Sequence, residues 1–122
     1  MSLEKYYIIK KKNISEDSAV YRIALNTKHS IYQGHFPKFP LLPGAIQIEI
    51  VQELLENALG ESVLLIAAKN IKYLGMINPL ENSNLIIDLK WNIADTIKLK
   101  ATIKSTLEGN KTMLKYSAEY TK

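Results

Sequence analysis

The sequence predicts an α+β chain in which an antiparallel β-sheet wraps around one central α-helix, and three observations lead there. Residues 44–59 carry a helical apolar pattern wide enough to be buried over most of its surface. The other patterned segments alternate apolar and polar side chains with the period of two that marks strands. Their order is two strands, the helix, then four strand segments, which sets one helix against one sheet instead of alternating the two. The 122 residues read as one domain, 1–122, with a core of ordinary size and little interior to spare. A subunit of that kind is expected to borrow surface from a partner.

Residues 5–12 and 18–26 read as a hairpin joined by the polar turn Asn13-Ile14-Ser15-Glu16-Asp17. His29 follows with no partner at a useful spacing and is read as an exposed loop residue. Pro43-Gly44 opens the helix and Gly60 ends it. On a helical wheel Ile46, Ile48, Ile50, Val51, Leu54, Leu55, Ala58 and Leu59 cover well over half the circumference. Glu49, Gln52, Glu53 and Glu56 take the polar side, and Gln47 falls on the apolar arc, where a buried contact to the loop or the sheet is expected. Residues 63–68 form an apolar run of fully buried strand character that continues to position 74, with Ile71 and Tyr73 alternating. Leu85, Ile87, Leu89 and Trp91 share one face of the next strand, while Asp88 and Lys90 take the other. Residues 96–107 alternate almost without exception, Glu108-Gly109-Asn110-Lys111 turns the chain, and Leu114, Tyr116, Ala118 and Tyr120 line the last strand.

Composition narrows the function classes. With 47% hydrophobic and 23% charged residues the chain reads as globular, and no apolar run is long enough to span a bilayer. The polar start Met1-Ser2-Leu3-Glu4-Lys5 lacks the pattern of a secretory leader, so a cytoplasmic location is expected. The absence of cysteine excludes disulfides, thiolate nucleophiles and cysteine metal sites, and His29 with His35 makes a poor metal set. The net charge of +4 raises nucleic acid as a partner, but Lys98, Lys100 and Lys104 alternate with Ile97, Leu99, Ala101 and Ile103 and do not cluster with aromatics. That is the period of a strand with one solvated face, and no nucleic-acid partner is expected. Docking of an acidic protein is the second reading of the same lysines.

Most of the functional signal lies in residues 33–49. Three of the four prolines, Pro37, Pro40 and Pro43, crowd around His35 just ahead of the helix, giving a loop stiffened by fixed φ angles. Such a loop holds an imidazole in place. The amide hydrogens of the first helical turn have no partner within the helix and suit a developing negative charge. A base, an acid and an oxyanion site therefore fit within one segment.

This segment resembles the signature of the β-hydroxyacyl-[acyl-carrier-protein] dehydratases, the FabZ/FabA family of hotdog enzymes. The matching residues are Gly34-His35-Phe36-Pro37, Pro40, Pro43-Gly44 and Glu49, fourteen positions after His35. The resemblance implies a hotdog fold and dehydration of a 3-hydroxyacyl thioester to the trans-2-enoyl thioester. It further implies His35 as base toward the C2 proton, Glu49 as acid toward the departing hydroxyl, and the Gly44 amide as donor to the thioester carbonyl. Histidine suits the first role because its unperturbed pKa of about 6.5 leaves it neutral near pH 7. Tyr32 and Phe36 flank the segment as candidates to line the acyl channel. By the same resemblance the substrate rides on the phosphopantetheine of an acyl-carrier protein, no metal or redox cofactor takes part, and a homodimer shares each site between subunits, with higher oligomers open.

The match departs from the family pattern at Lys38-Phe39, at Glu53 where a glutamine is usual, and at Leu80-Glu81 where Gly-Asp is usual. The family's segment ahead of the hairpin, with its His-Arg-x-Pro motif, is also missing from these residues. These departures mark a divergent branch, one that suits a specialised lipid or polyketide-like pathway. Glutamate at position 49 leans toward dehydration without double-bond isomerisation. Two other readings compete: a hotdog acyl thioesterase, which has no need of His35, and a non-catalytic hotdog subunit that binds acyl chains or acyl-carrier protein.

Overall fold

Among the described residues, two strands, one helix and four further strands follow one another, in the order the periodicity predicts. In the computed structural model, residues 5–30, 41–107 and 109–122 are described. They form β1 (Tyr7–Ile14), β2 (Ser18–Leu25), α1 (Gly44–Leu59), β3 (Leu64–Tyr73), β4 (Asn84–Ile93), β5 (Ile97–Ser105) and β6 (Thr112–Thr121). The strands make one antiparallel sheet in the order β1-β2-β4-β5-β6-β3, so β1 and β3 are its edges.

The alternation of the strands decides which face meets the helix. Leu85, Ile87 and Leu89 of β4, Leu99 and Ile103 of β5, and Leu114 and Tyr116 of β6 are all buried on one side. Against them α1 buries Ile50, Val51, Leu54 and Leu55, each with no measurable exposure. The same four positions recur at helical spacing, which is why one apolar stripe suffices to hold α1 in the hollow of the sheet. Side-chain hydrogen bonds fix its polar flank. Tyr21 Oη donates to Asn57 Oδ1 at 2.7 Å, Tyr7 Oη to Glu53 Oε1 at 3.0 Å, and Lys12 Nζ to Asn57 Oδ1 at 3.4 Å.

The ends of α1 follow from its flanking residues. Pro43 stands just outside with extended angles (φ −59°, ψ 144°), and its carbonyl accepts from the amides of Ile46 and Gln47 at 3.1 Å each. Gly60 adopts φ 75° and donates its amide to the Glu56 carbonyl at 2.8 Å, closing the last turn in a left-handed conformation that glycine tolerates best.

Two expectations are corrected. The apolar run at the start of β3 is not a fully buried strand: Leu64, Leu65 and Ile66 are 68%, 46% and 49% exposed. Among the described residues β3 pairs with β6 alone, at the sheet edge, so half of its backbone groups and much of both its faces have no described neighbour. Apolar content reads the same for a central strand and for an edge strand. His29 is not an exposed loop residue either. It is buried, with its imidazole stacked on the Tyr6 ring at 4.3 Å between centroids, because the chain leaving β2 folds back beside the start of β1, where Asn26 donates its amide to the Tyr6 carbonyl at 2.7 Å.

Candidate active site at the helix start

Residues 41–49 bring the described part of the candidate site together. Leu42 is anchored twice: its amide donates to the Ile77 carbonyl at 2.8 Å, and its carbonyl accepts from Gln47 Nε2 at 3.2 Å. Gln47 is 3% exposed, so the contact expected of it on the apolar arc is made to the loop. No donor among the described residues reaches its buried Oε1. One side chain thus ties the approach segment to the first turn of the helix. His35, Tyr32 and Phe36 lie outside the described residues.

Gly44 is the first residue of α1, and its amide and that of Ala45 have no acceptor among the described residues. The ring of Tyr73, from the end of β3, lies against Gly44 so closely that a β-carbon there would be 2.6 Å from Cζ and from Oη. Glycine at this position therefore has a packing reason, and it leaves two donor amides beside a phenol at the positive end of the helix dipole. Sequence reading placed Tyr73 on a strand face and missed this contact, since pattern within one strand carries no information about which helix end it meets.

Glu49 lies one turn further along and is exposed. The polar residues that share its side of α1 are each occupied. Gln52 Nε2 donates to the Val63 carbonyl at 3.2 Å, Glu56 Oε2 accepts from the Val63 amide at 2.9 Å, and Glu53 accepts from Tyr7. Glu49 alone among the helix carboxylates makes no hydrogen bond or ion pair with a described residue. Its charge still registers nearby: the Tyr7 phenol is pushed up by burial first, then by Glu53 and its hydrogen bond, with smaller contributions from Tyr21 and Glu49. Among the described residues no group of histidine and carboxylate side chains could hold a metal ion.

A family model of ApeI dehydratases matches residues 10–117. The chain belongs to the ApeI-like dehydratase family. An ApeI-like chain of this kind has weaker likeness to the 3-hydroxyacyl-[acyl-carrier-protein] dehydratase FabZ of Clostridium acetobutylicum. That likeness is 33% identity over 66 residues, covering 48% of this chain and 47% of the relative. This chain spans about half the length of the FabZ relatives it matches. In structure it is similar to the dehydratase heterocomplex ApeI:P from Xenorhabdus doucetiae, with a TM-score of 0.77 at 19% identity over 95% of this chain and 98% of that one. It is also similar to a hypothetical thioesterase with coenzyme A from Streptococcus pneumoniae, with a TM-score of 0.66 at 14% identity over 93% and 83%. At these identities the structural likeness establishes the hotdog fold, which dehydratases and thioesterases share. No helix among the described residues is long and apolar enough to cross a membrane.

Proposed function

We propose that this ApeI-like protein dehydrates 3-hydroxyacyl thioesters carried on the phosphopantetheine of an acyl-carrier protein, giving trans-2-enoyl thioesters. The observation that carries the reading is the carboxylate of Glu49, which no described residue engages, one turn from two first-turn amides of α1 that have no acceptor among the described residues. Its neighbours Gln52, Glu53 and Glu56 each hold a hydrogen bond to the surrounding structure.

In this mechanism neutral His35 takes the C2 proton, and the electron pair left behind delocalises onto the thioester oxygen. The Gly44 amide donates to that oxygen, stabilising charge that is larger in the transition state than in the substrate. The pair then returns to form the C2–C3 double bond as the C3–O bond breaks. Glu49 protonates the leaving hydroxyl, and water departs. The proton on His35 then replaces the one Glu49 gave up, which resets the pair. Tyr32 and Phe36 line the acyl channel, and no metal or redox group takes part.

A homodimer supplies each site with His35 from one subunit and Glu49 from the other. Support for assembly comes from β3, whose helix-facing side chains Leu65, Ile71 and Tyr73 are 46%, 42% and 49% exposed at an unpaired sheet edge. Pairing β3 with the same strand of a second copy would satisfy the backbone groups that no described residue pairs and cover these side chains.

The test follows hydration and dehydration of a 3-hydroxyacyl/2-enoyl carrier-protein pair, with free thiol measured in parallel, for wild type, His35→Ala and Glu49→Gln. Turnover by wild type and a loss of about two or more orders of magnitude in each variant is the expected result. Thiol release without enoyl formation would make the protein a thioesterase. Carrier-protein binding without either product would make it a non-catalytic subunit.

A further inference from the structure

The face of the sheet turned away from α1 carries a groove of about 850 Å³ whose walls include Lys69, Lys90, Lys98 and Lys100. None of its lining residues belongs to α1, so it lies apart from Gly44 and Glu49. Register explains why the lysines gather. Lys90 of β4 stands directly opposite Lys100 of β5, and Lys98 is two residues along β5 on the same face. Like charges directly opposite on neighbouring strands destabilise a sheet. Asp17 and Glu119 line the groove as well, so four lysines face two carboxylates and the lining keeps a net positive charge. Asp88 is held by Lys104 Nζ at 3.2 Å and by Thr102 Oγ1 at 3.5 Å. Glu119 stands opposite Lys98 in the register, where its charge partly balances that lysine, and its Oε1 also accepts from Thr96 Oγ1 at 2.8 Å. Lys69, Lys90, Lys98 and Lys100 are all exposed and none forms an ion pair with a described residue.

We propose that this groove docks an extended acidic segment of a partner protein. Charge complementarity identifies the occupant, and the chemistry of the lining separates it from other anions. The cations are lysines, hydrated point charges that suit spaced carboxylates, and no arginine offers a planar fork for phosphate. The sole aromatic residue in the lining, Trp91, is 7% exposed with its side chain in the core, so no platform for stacking bases is present. The groove crosses β4, β5 and β6 between Ser18 and Lys69, a span that fits a chain segment better than a compact ligand.

The test is fluorescence anisotropy with labelled poly-glutamate at low and moderate ionic strength. It compares wild type with Lys90→Gln/Lys98→Gln/Lys100→Gln and with Lys5→Gln/Lys28→Gln/Lys111→Gln, which removes the same charge elsewhere. Binding by wild type that weakens with salt, falls about tenfold in the groove triple and changes little in the control triple is expected. Thermal melts of the groove triple should equal or exceed wild type, because the opposed lysines are gone. Should that triple fail to fold, Lys98→Gln and Lys69→Gln singly carry the same comparison. No binding by wild type, an equal loss in both triples, or tighter groove-dependent binding of single-stranded DNA than of poly-glutamate would each overturn the proposal.

Discussion

The ring of Tyr73 fills the space that a β-carbon on Gly44 would occupy, 2.6 Å from the ideal position to Cζ and to Oη. The strand that ends in Tyr73 and the helix that begins at Gly44 are thereby fitted to each other at the first-turn amides. In the single subunit Tyr73 is 49% exposed, and the atoms a methyl group at position 44 would meet are the far end of its ring, which can tilt along the sheet edge. Gly44→Ala should therefore change unfolding free energy by no more than about 1 kcal/mol, since helix propensity gained offsets part of the clash. Turnover should fall about tenfold or more as the displaced ring disturbs the donor site. Urea melts beside turnover measure the two effects, and a fully active Gly44→Ala protein would remove this contact from the catalytic account.

Glu49 and Glu53 lie four residues apart on α1 and should respond oppositely to substitution. Glu49→Gln removes no described hydrogen bond, so stability should stay within about 0.5 kcal/mol while turnover drops about a hundredfold. Glu53→Gln loses the charged acceptor of Tyr7 Oη, at a cost of about 1 kcal/mol, with little effect on turnover. A loss of turnover that tracks melting temperature in both variants would assign both residues to structure.

Gln47→Ala tests how the approach to the helix is held. The variant leaves the Leu42 carbonyl without its buried donor and opens space in the core, so a loss of about 1–3 kcal/mol is expected in chemical denaturation. An unchanged midpoint would mean that the Leu42 amide bond to Ile77 anchors this segment by itself.

Periodicity made most of this fold legible because each element buries one regular face. The bounds of α1 follow from Pro43 and Gly60, and the buried faces of β4 and β6 follow from alternation, with Ile86 and Met113 buried out of step. Partner identity between elements was not legible. The alternation that places Tyr116 and Tyr120 on one strand face gives no hint that their hydroxyls meet at 2.8 Å. Four residues along a strand span about 13 Å, so the rings must lean together over the small Ala118 between them. The edge position of β3 and the burial of His29 were hidden for the same reason: both depend on what lies beside the segment in space. At the candidate site, sequence spacing singled out Gly44 and Glu49, whereas the occupancy that sets Glu49 apart from its neighbours needed coordinates.

The exposed apolar residues of β3 give a prediction about assembly. If β3 pairs with a second copy, analytical ultracentrifugation should report a dimer or a multiple of it. A charge placed on the helix-facing side, Ile71→Lys, should shift the population to monomer and abolish turnover while sparing His35 and Glu49. An active monomer would rule out a site shared between subunits.

Four tyrosines predict how the fold responds to alkali. Burial pushes the phenols of Tyr7, Tyr21, Tyr116 and Tyr120 up from the ordinary value of 10.0. For Tyr120 the hydrogen bond with Tyr116 adds to that shift, and for Tyr7 the Glu53 carboxylate does. In all four the folded state holds the proton more tightly than the unfolded chain. Below the unfolded value both states are protonated, and the groups contribute no pH dependence. Above it the unfolded chain binds fewer protons, so stability falls as pH rises. Unfolding free energy should thus be flat from neutral pH to about 10 with respect to these groups and then decline. Part of the tyrosinate absorbance should emerge together with loss of circular dichroism, as a cooperative step. Tyr120→Phe should make the decline shallower by removing one of the four protons at issue. Titration of every tyrosine near the ordinary value with the circular dichroism intact would mean that the sheet admits water to these hydroxyls, and the tyrosine-lined flank of α1 would not be the closed structure described above.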